Sequence, residues 1–215
     1  MQSTFAECFP YASPSAASAA LSENDVKQPT NPAALKAVSA TLDALATIST
    51  DVQQVATFIN LHIPKMEDGN NFGVTVQLSL LKQISDLLEA IVKMRDDLSQ
   101  YPASRAEALE KLKLPSSSST TTKSTSSTTT DGKKEEKSSE STENKETVED
   151  TSGPAYTCRI MALVSVDTLY YTKAQTAFST TMSSYLSLLD FMDKNREKIE
   201  KPKGSGGSHS GYSSM

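Results

Sequence analysis

The 215 residues contain no tryptophan, two cysteines, two histidines and no long unbroken apolar run. Each shortage excludes something. With no tryptophan and only 6% aromatics, a core has to be built from aliphatic side chains, which favours packed helices. Cys8 and Cys158 can form one bridge at most, so no disulfide framework is expected and a reducing compartment, cytoplasm or nucleus, fits best. His62 and His209 are too few and too far apart for triad or metal chemistry. Neither a Gly-rich phosphate loop nor a nucleophile elbow is present, so the expectation is a non-enzyme without cofactor or metal. No stretch reaches the roughly 18 uninterrupted apolar residues of a spanning helix. The opening MQSTFAECFPYASPSAASAA has neither the basic start nor the apolar run of a signal peptide. Nucleic acid and membrane are therefore not expected partners. A net charge of -5 adds to this, because phosphate binding needs clustered Lys and Arg. The one basic run, residues 194–203, is diluted by Glu197 and Glu200.

What the sequence does have is helical periodicity. Residues 1–32 are rich in Pro, Ala and Ser and predict a flexible lead with at best a weak helix near residues 16–21. From residue 33 the pattern changes. Leu35, Val38, Leu42, Leu45, Ser49, Val52, Ala56, Ile59 and Ile63 step by three and four, one seam of a bundled helix that Pro64 closes. A second helix is expected from Gly73 or Val74, carried by Leu81, Ile84, Leu88, Ile91 and Leu98. Beside it runs a stripe of Leu80, Leu87, Met94 and Tyr101. That face is wider than one seam needs, which suits either a helix deep in its own bundle or one that also meets a neighbouring subunit. Pro102 is expected to kink this element, which continues to Leu114.

Composition then shifts. Fourteen of the fifteen residues 116–130 are Ser or Thr, and a Lys/Glu-rich tract follows, so residues 115–153 predict a disordered tether with little to bury. The last helix is expected over 154–203, with Val164, Tyr171, Phe178, Tyr185, Met192 and Ile199 seven apart. Pro202 and Gly204 stop it, and residues 204–215 form a flexible tail. The expected fold is all-α, an up-down bundle of long helices.

Between the first two rods lies IPKMEDGNNFGVTVQ, residues 63–77. Pro64 prevents the first helix from continuing, and Asp68, Gly69, Asn70 and Asn71 can each take positive φ. This is more than a simple connection needs, so a shaped loop at the tip of a rod is expected. Phe72 either anchors the loop on the bundle end or faces a partner, the anchor being favoured. A calcium loop is not expected, because the alternating acids and distant bidentate Glu are missing.

This run closely resembles the activation-loop signature of the 11S proteasome activators, whose members read IP-basic-apolar-EDGNNFGV here. LSQYPASRAEALEKLKLP is similar to that family's third helix, and YLSLLDFMDKNREKIEKPKG to the close of its fourth. The resemblance implies a four-helix protomer in a seven-membered ring, built of self or paralogue subunits, that caps the 20S proteasome without ATP. C-terminal tails enter pockets between the proteasome's outer-ring (alpha) subunits, and activation loops shift the gate. Carried over, the loop is Lys65, Met66, Glu67, Asp68, Gly69, Asn70, Asn71, Phe72 and Gly73, with Asn70 at the most critical position. The docking tail ends Tyr212, Ser213, Ser214 and Met215. Residues 1–32 do not look like the family's long first helix, so that rod is missing or divergent. The alternatives are a non-activating helical scaffold and a truncated regulatory paralogue that joins mixed rings.

Overall fold

A computed structural model describes residues 6–23, 28–66, 71–113 and 153–203. All elements among them are helical: α1 (Pro14–Ser22), α2 (Pro32–His62), α3 (Phe72–Ser99), α4 (Tyr101–Lys113), α5 (Pro154–Lys194) and α6 (Arg196–Glu200). Residues 115–152 of the expected tether and the tail 204–215 lie outside the described residues.

Cross-helix contacts set the directions. Thr41 meets Ala174 and Asp51 meets Tyr185, so α2 and α5 run parallel. Gln77 meets Ile199 and Thr181 meets Met94, so α3 runs against α5. The result is an up-down bundle around α5, whose 41 residues make a rod of about 60 Å.

Local chemistry places the ends. Asn31 caps α2: its Oδ1 accepts from the amides of Ala33 (3.2 Å) and Ala34 (3.4 Å), and Pro32 fits the first helical position. The same side chain donates from Nδ2 to the Leu21 carbonyl at 3.3 Å, tying the end of α1 to the start of α2. Asn31→Ala is therefore expected to lower stability by about 1–2 kcal/mol in urea unfolding, since a cap and a buried carbonyl's donor go together. At the other end, Ile63 is extended (φ -71, ψ 115), as a residue before proline prefers. Pro102, which has no amide hydrogen to give Leu98, breaks the helix for the single residue Gln100 before α4 resumes. The expected single helix over 154–203 is likewise interrupted at Asn195, whose Nδ2 donates to the Phe191 carbonyl at 2.9 Å.

Within residues 1–32, expected as a flexible lead with a weak helix near residues 16–21, the described residues hold a packed helix over Pro14–Ser22. Ser13 accepts from the Ala16 amide and starts α1, and Ala17 and Leu21 are fully buried. Phe9 packs edge-on to Tyr171 with ring centres 5.6 Å apart. Ala and Ser were read as weak signals, but small residues let α1 approach the bundle closely. The seam of α2 shifts for the same reason. Leu35 is exposed, while Ala34, Ala37 and Thr41 are buried, Thr41 with its hydroxyl on the Ala174 carbonyl of α5.

Far from the loop, α4 and α5 share a buried polar cluster. The Arg105 guanidinium reaches Asp167 at 3.0 and 3.2 Å, each side chain 2% exposed, and donates to the Gln28 carbonyl at 3.1 Å. The Tyr101 hydroxyl donates to Asp167 at 2.8 Å. Burial, and then the neighbouring Asp167 carboxylate, push the Tyr101 phenol well above its ordinary range.

Candidate functional site

The chain leaves α2 at His62, passes Pro64 and returns at Asn71 into α3, so the loop forms one end of the bundle. Of its expected residues, Lys65, Met66, Asn71, Phe72 and Gly73 are described; Glu67, Asp68, Gly69 and Asn70 lie outside the described residues, as do Tyr212, Ser213, Ser214 and Met215. Lys65 and Met66 are exposed, and Asn71 precedes the helix without a side-chain cap bond.

Residues 199–203, from which the tail departs, are packed against this loop stem. Gly73 is buried with the Pro202 backbone directly on it: a Cβ placed there would stand 2.2 Å from the Pro202 carbonyl oxygen and 2.4 Å from its Cα. Only glycine permits so close a crossing. One turn along α3, Gln77 is fully buried and its Nε2 donates to the Ile199 carbonyl at 2.8 Å. The Lys198 ammonium sits 4.6 Å above the Phe72 ring. The start of α3, residues 72–77, and residues 198–202 thus form one unit at one end.

Phe72 does not insert as an anchor. It is 61% exposed, with the Lys198 ammonium over its ring. On the last turn of α2 and just after it, Leu61 and Met66 are also exposed, 78% and 65%, as is Phe58, on which His62 stacks at 4.2 Å. A group of large apolar side chains in water at one tip is a surface with something to bury.

Sequence reading missed Gln77, Lys198 and Pro202 as site residues, although one signal was available. Gln77, Ile84, Ile91 and Leu98 are seven apart, so the amide occupies a seam position otherwise filled by aliphatic carbon. Among the described residues no three His, Cys, Asp or Glu side chains gather as metal ligands. No described helix is long and apolar enough to cross a membrane.

Residues 27–116 match the family described as "Proteasome activator PA28, C-terminal". A stretch of 55 residues is 46% identical to "Proteasome activator 28" of Dictyostelium discoideum, covering 26% of this chain and 24% of that protein. Over 152 residues the chain is 24% identical to human "Proteasome activator complex subunit 3", covering 70% of this chain and 44% of the relative. The chain thus spans less than half the length of these curated relatives. In fold it is similar to the 11S subunit of the Plasmodium falciparum proteasome, PA28, with a TM-score of 0.57 and 18% identity over 81% of this chain and 58% of that one. Long helices in this order, a loop stem packed on residues 198–202 and these matches agree: residues 27–116 match the C-terminal part of the PA28 family, and the chain is similar to 11S (PA28) proteasome activators in sequence and in fold.

Proposed function

We propose that this chain is an ATP-independent activator of the 20S proteasome, working in cytoplasm or nucleus by contact and not by catalysis. In a ring, probing tails dock in pockets of the outer-ring (alpha) subunits while residues 65–73 press on the gate. The observation that carries this reading is the junction of loop stem and tail base through Gly73, Pro202, Gln77 and Ile199. A device that grips with one element and pushes with another needs the two rigidly related. The exposed Leu61, Met66 and Phe72 give the same tip apolar surface to bury on a partner. Leu78 and Val92 on α3 and Leu169 and Leu186 on α5 are also exposed, and such positions are what neighbouring protomers would cover.

Tails of this composition bind weakly singly, and several on one ring bind together through effective concentration. Removing residues 213–215 is therefore expected to abolish co-sedimentation with purified 20S particles, whereas the full chain pellets with them. Undiminished co-sedimentation of the truncated chain would refute tail docking.

One observation favours a second reading. Helix α1 has 9 residues where α2, α3 and α5 have 31, 28 and 41, so the first rod is short. A subunit of this kind could serve as a scaffold or enter mixed rings with longer paralogues. Native mass measurement separates the cases: a homomeric ring supports the first reading, and a monomer that assembles only with a paralogue supports the second.

A further inference from the structure

A buried amide is costly unless hydrogen-bonded, and Gln77 is 0% exposed in a seam whose next members, Ile84, Ile91 and Leu98, are apolar. Its Nε2 donates to the Ile199 carbonyl, while its Oε1 finds no donor among the described residues. An aliphatic side chain there would fill the seam without leaving an orphaned oxygen, so packing alone does not account for the glutamine. What the amide does is hold one of the last carbonyls of α6, the groups a helix end leaves for outside donors. On the loop side of it, the Pro202 backbone lies on Gly73, and Lys198 covers Phe72. Three contacts thus join the first two turns of α3 to residues 198–202, and Gln77 makes the buried, directional one.

We infer that Gln77 is a positioning residue that locks the base of the tail to the stem of the loop, so that seating the tail fixes the height and tilt at which the loop meets its target. This rests on the proposed activator function. Gln77 touches neither partner directly. It acts through the Ile199 carbonyl on one side and through α3 on the other.

The test uses the full chain and Gln77→Met, which keeps an unbranched side chain of similar size and removes the donor. In the isolated protein, hydrogen exchange at the backbone amides of residues 197–201 is expected to quicken about fivefold, as loss of one buried bond to a helix end implies, with α2 unchanged. With purified 20S particles, the concentration for half-maximal co-sedimentation is expected to stay within about twofold of wild type, because the tail itself is intact. Maximal stimulation of peptide hydrolysis is expected to fall at least threefold. Gly73→Ala, which displaces Pro202 while leaving Gln77 in place, is expected to give the same split between binding and stimulation. A merely structural role would lower binding and stimulation together, and that outcome overturns the inference, as does unchanged exchange at 197–201 or wild-type stimulation by both variants. If the wild-type chain binds 20S particles without stimulating them, the proposed function fails, and the exchange comparison still decides whether Gln77 locks tail base to loop stem.

Discussion

Asp167→Ala is expected to lower the unfolding free energy by about 3–5 kcal/mol in urea titration, the loss typical of removing one partner of a buried ion pair. The geometry explains the size. Arg105 and Asp167 are each 2% exposed, and the Arg105 Nε finds no partner among the described residues. Removing the carboxylate leaves the guanidinium with the Gln28 carbonyl as its acceptor among the described residues and takes away the carboxylate to which the Tyr101 hydroxyl donates. Burial pushes the Asp167 carboxyl above its ordinary value, against the opposing pull of the Tyr101 hydroxyl, Arg105 and Asn31. The pair therefore carries a desolvation cost, and its presence is weak evidence of net stabilisation. The combined change Arg105→Met, Asp167→Leu and Tyr101→Phe is accordingly expected to cost less than Asp167→Ala alone. A larger loss in the combined variant would show that the cluster stabilises beyond the penalty of breaking it.

Asn70→Tyr is expected to remove stimulation of peptide hydrolysis while leaving co-sedimentation with 20S particles intact. The run Asp68, Gly69, Asn70 and Asn71 consists of residues that accept positive φ, and tyrosine does so poorly. The contact being altered is small in each copy. Moving a two-state gate from closed to open needs roughly 5.5 kcal/mol of differential contact, less than about 1 kcal/mol per loop if seven loops share it. An altered shape repeated in every loop removes that bias altogether. The tail is untouched, so docking persists. Equal stimulation by mutant and wild type would contradict the assignment of the loop.

The long helices were legible because aliphatic residues repeat at three, four and seven, and the end of α2 because Pro64 cannot continue a helix. Helix α1 was legible only as a weak helix near residues 16–21, since Ala17 and its neighbours carry little periodic signal and gain their burial against α5. The end of α2 before the loop was legible from Pro64, but the attachment of the loop stem was not. That attachment is made by the Pro202 backbone over a glycine and by one amide in an apolar seam, and backbone proximity between distant segments leaves almost no trace in a single sequence. Arg105 and Asp167 escaped for a related reason: a charged residue in a helix reads as solvated until its partner on another helix is known.

The most direct test is hydrolysis of short fluorogenic peptides by purified 20S particles over a titration of this chain without ATP. The expected result is a saturable rise in rate whose midpoint follows the chain's co-sedimentation. A flat rate across that titration, with the chain demonstrably bound, would contradict gate opening by the loop.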